Sequence, residues 1–162
     1  GLHQLLDDLL GERGYARSSR LCNGYTSGRG NNMATSSLPK LLFVTVKEAS
    51  ELKDVQMVGK QDPYLKMWAG HAGHKVKTRV HTDGGSRAVW EESFMFNLES
   101  VSLGENLYLE VKNKNNLDSK SIGSGKIPLG SFTATAQSSW YQVYDAKGRV
   151  AGKVHLETRM EE

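Results

Sequence analysis

Two stretches of alternating side chains bring basic and aromatic residues together in the middle of the chain. Tyr64, Lys66 and Trp68 alternate with apolar residues. The outward positions of the next alternating stretch hold three basic side chains, Lys75, Lys77 and Arg79. Side chains two positions apart share one face of a β-strand, so pairing of these two strands would form one basic patch with an aromatic edge. Such a patch attracts phosphate groups, although a charged strand face is often simply solvated.

Residues that could carry out catalysis do not form a recognisable catalytic pattern. The sequence has no nucleophile elbow, Walker loop, zinc-protease helix or dinucleotide fingerprint. The only cysteine, Cys22, has no organised histidine partner, and His71 and His74 stand in a glycine-containing turn without further metal ligands. Nucleic-acid binding would need aromatic platforms between the charges, and only Tyr64 and Trp68 qualify. We therefore predict a protein that is not an enzyme and has no nucleic-acid partner.

Short strands separated by turns must position the basic patch. From Leu38 onward, β-rich stretches alternate with turn signals such as Asp83-Gly84-Gly85 and Lys147-Gly148, and no helical periodicity lasts longer than one turn. The predicted strands are 41–46, 63–69, 75–80, 93–98, 107–112, 121–129, 140–144 and 150–158. About eight short strands indicate an all-β protein, an antiparallel β-sandwich or barrel. The aromatic residues expected in its core are Phe43, Trp90, Phe94 and Phe96.

The first part of the chain differs from the rest in composition. Leucines at positions 2, 5, 6, 9 and 10 have helical spacing, but Gly, Ser, Arg and Asn dominate from Gly11 to Ser37. Such a segment buries too little apolar surface to offset the entropy of ordering it. We therefore expect residues 1–37 to be a flexible N-terminal extension, either disordered or added outside the native sequence. Residues 38–162 are then the folded domain.

Composition also limits the compartment and the partners. A single cysteine cannot form an intramolecular disulfide, which favours a reducing, cytoplasmic setting. No apolar stretch approaches the roughly 20 residues that a membrane-spanning helix needs. A net charge of +3 and a pI near 9.0 permit attraction to phosphate-bearing surfaces without establishing it.

Several landmarks resemble, in the same order, those of the C2 domain, an eight-stranded β-sandwich that typically binds membranes, often with calcium. Residues 59–66 read GKQDPYLK and are similar to the family signature G-x-S-D-P-Y-V-K. KTRV at 77–80 and VWEESFMF at 89–96 resemble two further strands of the family, and IG at 122–123 resembles the residues that follow its loop 3. The first strand leads directly into loop 1 and a strand follows Trp140-Tyr141, so the resemblance implies the type II strand order.

The resemblance implies a calcium site between loops 1 and 3, where the family supplies several aspartates. Asp62 stands at one of these positions, while Asp54 and Asp118 lie close to two others. Calcium takes six to eight oxygen ligands, including carboxylates that balance its charge. Asp62 also has an alternative role, because an aspartate before proline is a common turn former.

Amide side chains replace the other expected carboxylates. Gln56, Asn113 and Asn115 stand at positions where the family has aspartates, and amides offer carbonyl oxygens but no charge. Three lysines add positive charge beside the pocket, at positions 112, 114 and 120, which opposes a divalent cation. We therefore expect calcium binding to be absent or weak, and no other cofactor.

The resemblance also implies a lipid-binding surface. Several C2 domains hold a phosphoinositide headgroup on a basic patch of two strands, and the matching residues are Tyr64, Lys66, Lys77 and Arg79, with Lys75 on the same face. Apolar residues that could enter a membrane occupy the predicted loop tips, Met57 and Val58 in loop 1 and Leu117 in loop 3.

The sequence therefore favours a peripheral cytoplasmic module that binds an anionic phospholipid membrane, containing phosphatidylserine or a phosphoinositide, largely without calcium. Two alternatives stay open. One is a protein-interaction or scaffold module that does not bind lipid. The other is weak calcium-dependent lipid binding through the degenerate set Asp54, Asp62 and Asp118.

Overall fold

The computed structural model describes residues 40–162, which form eight antiparallel strands and one turn of 3-10 helix at Leu129–Ser131. The strands are β1 (Leu41–Ser50), β2 (Pro63–Ala69), β3 (Val76–Lys77), β4 (Ala88–Asn97), β5 (Asn106–Lys114), β6 (Ser119–Pro128), β7 (Gln137–Tyr144) and β8 (Val150–Glu161). The all-β prediction is thereby confirmed. The extension predicted over 1–37 and its boundary at residue 38 lie outside the described residues, so that division stays a prediction. No helix among residues 40–162 is long and apolar enough to cross a membrane.

The strands follow the order β3-β2-β5-β6-β7-β8-β1-β4. β6 and β7 pair at one position, Ser124 with Tyr144, and separate on either side of it. The sheet therefore divides into two four-stranded halves, β3-β2-β5-β6 and β7-β8-β1-β4, which form the sandwich. Gly125 permits the close approach at this junction, because a Cβ there would lie 2.9 Å from the backbone oxygen of Gln142. The last strand, β8, lies between β7 and β1, as the type II order requires.

Three loops meet at one end of the sandwich. Loop 1 covers residues 51–62 after β1, loop 2 covers residues 78–87 after β3, and loop 3 covers residues 115–118 after β5. Leu52 at the start of loop 1 is buried, and its backbone N–H donates to the carbonyl of Ser86 in loop 2. This end of the molecule contains the calcium ligands and loop tips predicted from the sequence.

Side chains with a period of two fill the core between the halves. Leu42, Val44 and Val46 of β1 are fully buried, while the residues between them are only partly buried. This alternation is expected of a strand that has one face in a core. Of the four aromatic residues predicted to fill the core, Trp90, Phe94 and Phe96 are buried. The expectation for Phe43 was wrong.

Phe43 lies on the outer face of β1 and is half-buried. The guanidinium carbon of Arg159 lies 4.7 Å from the centroid of its ring, close enough for a cation–π contact. The β-pattern around Phe43 could not distinguish this outer face from the core, because both positions suit an aromatic side chain in a strand.

The third strand is shorter than expected, Val76–Lys77 instead of 75–80. After Lys77 the chain runs between β2 and the free edge of β4. The N–H groups of Thr78 and His81 donate to carbonyls of β2, both at 2.9 Å. On the other side, the N–H of Val89 donates to His81 Nδ1 at 2.8 Å. Val80, predicted to point inward, is exposed. Covering a strand edge protects backbone groups that would otherwise pair with another chain. Residues 78–81 cover the edge of β4 in this way and therefore do not continue the predicted strand.

Candidate functional site

Six lysines share the outer face of the half-sheet β3-β2-β5-β6, which we call the lysine face. They are Lys66, Lys75, Lys77, Lys112, Lys114 and Lys126. Strand register brings them together: Lys66 of β2 lies opposite Lys77 of β3, and Lys112 of β5 lies opposite Tyr64 of β2. Residues opposite each other in antiparallel strands place their side chains on the same face. The buried side chains of these strands, such as Leu65 and Val111, point the other way, into the core.

The lysine face differs from the opposite half of the sandwich in its ion pairs. Within residues 40–162, none of its six lysines has a carboxylate oxygen within ion-pairing distance. On the other half, Lys47 contacts Glu91 at 2.9 Å and Lys153 contacts Glu51 at 3.1 Å. The hydrogen bond from Lys47 to Glu91 raises the pKa of that lysine. One half of the molecule therefore keeps its positive charge available to an external anion, while the other neutralises it internally.

Arg79 does not belong to the lysine face, although the sequence analysis placed it there. Its guanidinium donates to the carbonyl of Trp90 at 2.7 Å and forms an ion pair with Glu92, with a nitrogen–oxygen distance of 3.4 Å. The backbone N–H of Arg79 also donates to Glu92, at 2.7 Å. Arg79 thus fastens the chain to the edge of β4, and this contact already engages its charge.

The predicted aromatic edge of the patch is only partly available. Tyr64 is 7% exposed, so little of its ring can meet a ligand. Trp68 stacks on Tyr108 with ring centroids 5.4 Å apart, and the ammonium of Lys75 lies 4.9 Å from the centroid of a Trp68 ring. A groove of about 680 Å³ runs beside this aromatic pair to Tyr144, the residue of β7 that pairs with β6.

Some members of the lysine face were not predicted as members of it. Lys126 lies opposite Tyr108 and was not identified from the sequence. Lys112 and Lys114 were assigned to the surroundings of the calcium pocket, where they could engage lipid phosphates, and not to the patch on the strands. Strand alternation does place Lys112 and Lys114 on one face of β5, and Lys126 on one face of β6. The sequence did not reveal that β5 pairs with both β2 and β6, and this pairing is what brings these lysines together.

The predicted loop tips project into solvent. Met57 is 96% exposed, Val58 83% and Leu117 98%. They belong to loops 1 and 3. Loop 1 is tied to the end of β5, just before loop 3, by a hydrogen bond of 2.7 Å from Asn113 Nδ2 to Gln56 Oε1. Three apolar side chains are therefore held at one end without packing against the protein, next to the end of the lysine face.

The aspartates considered as calcium ligands have separate roles. Asp62 accepts the N–H of Asp83 at 2.7 Å, and Asp54 accepts the N–H of Gln56 at 2.9 Å. Asp118 contributes its backbone carbonyl, which accepts the N–H of Asn115 at 2.8 Å. Among the described residues, no three His, Cys, Asp or Glu side chains are grouped so that they could hold a metal ion.

Two buried amides occupy the space between the loops. Asn113 and Gln61 are each 1% exposed. Asn113 Oδ1 accepts the N–H of Asp62 at 2.7 Å, and Gln61 Oε1 accepts the N–H of Val55 at 3.1 Å. Gln61 stands where the family signature has serine and was not identified as important from the sequence. Its length lets one side chain reach several loop carbonyls, a property visible only once the loops are placed.

Asp145 carries a strong electrostatic contact at the same end, in the turn between β7 and β8. Its carboxylate accepts the N–H groups of Arg149 and Lys147, and contacts Lys53 Nζ and Arg149 Nε, both at 3.1 Å. These bonds, with the backbone bond from Arg149 the largest contribution, hold the pKa of Asp145 well below its usual range. Lys53 lies in loop 1, so Asp145 ties that loop to the β7–β8 turn.

Asp145→Asn should lower stability at neutral pH, and by a smaller amount in acid. A carboxylate whose pKa is lower in the folded protein stabilises it above the unfolded pKa, about 4, and this contribution is lost as the pH falls through the folded value. The melting temperature of the variant should therefore be below that of the wild type at pH 7, with a smaller gap at pH 3. Thermal unfolding followed by circular dichroism measures both. Asp118→Asn, at an exposed aspartate, is the control, and a gap for Asp145→Asn that is equal at both pH values would contradict the prediction.

Comparisons with known proteins agree with this geometry. The family model of the C2 domain matches residues 40–143. Synaptotagmin-5 of Arabidopsis thaliana is 32% identical over 117 residues, which are 72% of this chain and 20% of that protein. A protein of the same organism named Calcium-dependent lipid-binding protein is 31% identical over 93 residues, 57% of this chain and 18% of that protein. The chain spans about one fifth of the length of these two curated relatives.

A solved structure shows the same fold. A C2 domain of plant Extended Synaptotagmin 1 is similar with a TM-score of 0.66 at 18% sequence identity, and the match covers 75% of this chain and 93% of that domain.

Proposed function

Since the chain belongs to the C2 domain family, we propose that it is a non-enzymatic module that binds peripherally to membranes containing anionic phospholipid. The observation that carries the proposal is the lysine face, whose six ammonium groups have no ion-pair partner within the described residues while lysines of the other half do. The name of one relative, Calcium-dependent lipid-binding protein, supports the class of ligand.

Electrostatic attraction supplies most of the binding in this mechanism. Each lysine near an anionic leaflet contributes about 1 kcal/mol, and the attraction fades within a Debye length of roughly 8 Å at physiological ionic strength. Lys66, Lys77 and Lys112 lie on neighbouring strands and can therefore meet several phosphates at once. Glu110 lies opposite Lys66 in the register and moderates the positive potential at the centre of the face.

Shallow insertion of the loop tips adds an apolar contribution. Met57, Val58 and Leu117 are almost fully exposed in the free protein, so moving them into the interface costs no packing inside the domain. Removing apolar surface from water yields about 25 cal/mol per Å². The two contributions act at adjacent places, since Lys114 ends β5 immediately before loop 3.

Binding in this mechanism is largely independent of calcium. The amide-bearing residues Gln56, Asn113 and Asn115 stand in the loops without adding negative charge, and Lys112, Lys114 and Lys120 surround them with positive charge. A divalent cation is disfavoured by such surroundings, whereas a lipid phosphate is favoured.

Co-sedimentation with liposomes tests the proposal directly. Vesicles of phosphatidylcholine alone are compared with vesicles that also contain phosphatidylserine or a phosphoinositide, each with calcium and with a chelator. We expect binding to the anionic vesicles in chelator and none to neutral vesicles. Binding that needs calcium would contradict calcium independence, and no binding under any condition would contradict the lipid role and favour a protein partner.

Met57→Ser combined with Leu117→Ser should lower the affinity for anionic vesicles by roughly tenfold, because two partly inserted side chains lose about 1.4 kcal/mol together. The melting temperature should not change, since both side chains are exposed. Vesicle titration measures the affinity. Leu103→Ser, at an exposed leucine in the connection between β4 and β5 at the other end of the sandwich, is the matched control. Equal losses for the control and the double variant would exclude insertion by loops 1 and 3.

A further inference from the structure

We propose that side-chain amides, rather than a bound cation, hold loops 1, 2 and 3 together at the end of the molecule that meets the membrane. Asn113 and Gln61 are the positioning residues, and each is 1% exposed. Their biological meaning rests on the proposed function, because they would make the membrane-docking end permanently assembled and therefore insensitive to calcium.

Asn113, near the end of β5, connects the middle and the end of loop 1 to the start of loop 3. Its Oδ1 accepts the N–H of Asp62 at 2.7 Å, and its Nδ2 donates to Gln56 Oε1 at 2.7 Å. A longer bond of 3.4 Å runs from Nδ2 to Asn115 Oδ1. An ionised aspartate at position 113 could accept from Asp62 but could not donate to Gln56. The tie to the tip of loop 1 therefore needs an amide.

Gln61 closes loop 1 on itself and joins it to loop 2. Its Nε2 donates to the carbonyl of Lys53 at 2.9 Å and to the carbonyl of Gly85 at 3.0 Å, while its Oε1 accepts the N–H of Val55. Both N–H donors of the buried Gln61 amide are therefore used, and its oxygen accepts one hydrogen bond. A second link to loop 2 comes from Asp62, whose carboxylate accepts the N–H of Asp83.

Charge explains why amides can replace a cation in this role. Carboxylates from separate loops repel one another and stay together only when a positive ion neutralises them. Amides carry both a donor and an acceptor, so two of them can bond directly, as Asn113 and Gln56 do. The loops consequently keep one arrangement whether calcium is present or not, and the end of the molecule keeps the positive charge of Lys112, Lys114 and Lys120.

The test replaces the amide pair by carboxylates of the same shape. In the double variant Gln56→Glu with Asn113→Asp, the atoms now joined at 2.7 Å would both be carboxylate oxygens, beside Asp62. In chelator we expect a melting temperature about 5 °C below wild type and a roughly tenfold faster hydrogen exchange of the Asp62 N–H. Millimolar calcium should reverse most of both changes, whereas calcium should shift the wild type by less than about 1 °C.

Gln56→Glu alone is the matched control, because Asn113 Nδ2 can still donate to a carboxylate there. It should melt within about 1 °C of the wild type and show no response to calcium. Asn113→Asp alone is the milder variant, to be used if the double variant does not fold in chelator. It should show the same changes in the same direction at about half the size.

These measurements need no lipid, so they separate this inference from the proposed function. A wild type whose melting temperature rises with calcium, or whose Asp62 N–H is protected only in calcium, would overturn the role of the amides. So would a double variant that matches the wild type in chelator. Vesicle co-sedimentation then tests the function: a wild type with ordered loops that binds no vesicles overturns the lipid role and leaves the amide ties standing. Vesicle binding that needs calcium in the double variant but not in the wild type supports both.

Discussion

The triple variant Lys66→Ala, Lys77→Ala and Lys112→Ala should bind anionic vesicles roughly 100-fold more weakly than the wild type, because each lysine contributes about 1 kcal/mol near an anionic leaflet. All three lie on the lysine face, and none has an ion-pair partner among the described residues. Removing them breaks no ion pair among the described residues, so the melting temperature should stay close to that of the wild type. Vesicle titration at low and physiological salt measures the affinity and its salt dependence.

The opposite half of the sandwich provides a control with the same change in net charge. Lys40, Lys47 and Lys153 each contact a carboxylate, belonging to Glu162, Glu91 and Glu51. Replacing these three lysines by alanine should lower vesicle affinity by less than about threefold, through overall charge alone. Equal losses in the two triple variants would show that net charge, and not the lysine face, decides binding.

Arg79 is a poor probe of lipid contact. Its guanidinium bonds to the Trp90 carbonyl and to Glu92, so Arg79→Ala removes support from the edge of β4 as well as a charge. A loss of vesicle binding in that variant would not distinguish a lipid contact from a disturbed edge. The lysines offer the cleaner test because their ammonium groups are not used inside the domain.

Gln61→Leu should destabilise the domain by about 3 kcal/mol or more and lower its melting temperature by roughly 10 °C. Leucine fills a similar volume but leaves two carbonyls, those of Lys53 and Gly85, and the N–H of Val55 without the partners that they now have. These bonds are part-buried, and a group left unsatisfied in such a place costs about 1 kcal/mol or more. Thermal and urea unfolding measure the loss.

Gln142→Leu is the control for Gln61→Leu. Gln142 is an exposed glutamine on β7 that accepts a hydrogen bond from the Tyr144 hydroxyl. Water can replace that bond, so the change in stability should stay within about 0.5 kcal/mol. If Gln61→Leu were equally mild, the loops would not depend on the Gln61 amide and would be held by the packing of Leu52 and the strands instead.

The contrast between Asp62 and Asp145 shows where sequence reasoning was strong and where it was weak. Asp62 belongs to a recognisable signature, and its place at the end of loop 1 was predicted from that signature. Asp145 belongs to no motif, yet it receives bonds from Lys53 and Arg149. The partner Lys53 lies in loop 1, far away in sequence, and only the folded chain brings it to the β7–β8 turn.

Local periodicity was sufficient to place most of the strands and most of the core, and the ordered motifs, such as residues 59–66, indicated the family by resemblance. Strand alternation depends on neighbouring residues alone, so β1 could be recognised as a strand from the sequence, although the side of it that faces the core could not. The lysine face forms only because β2 pairs with both β3 and β5. The contacts of Arg79 form only because the chain after β3 lies against the edge of β4. The amide ties of Asn113 and Gln61 needed three loops in contact. These features were decided by the tertiary structure, because hydrogen-bond and charge partners that are distant along the chain leave no periodic signal in it.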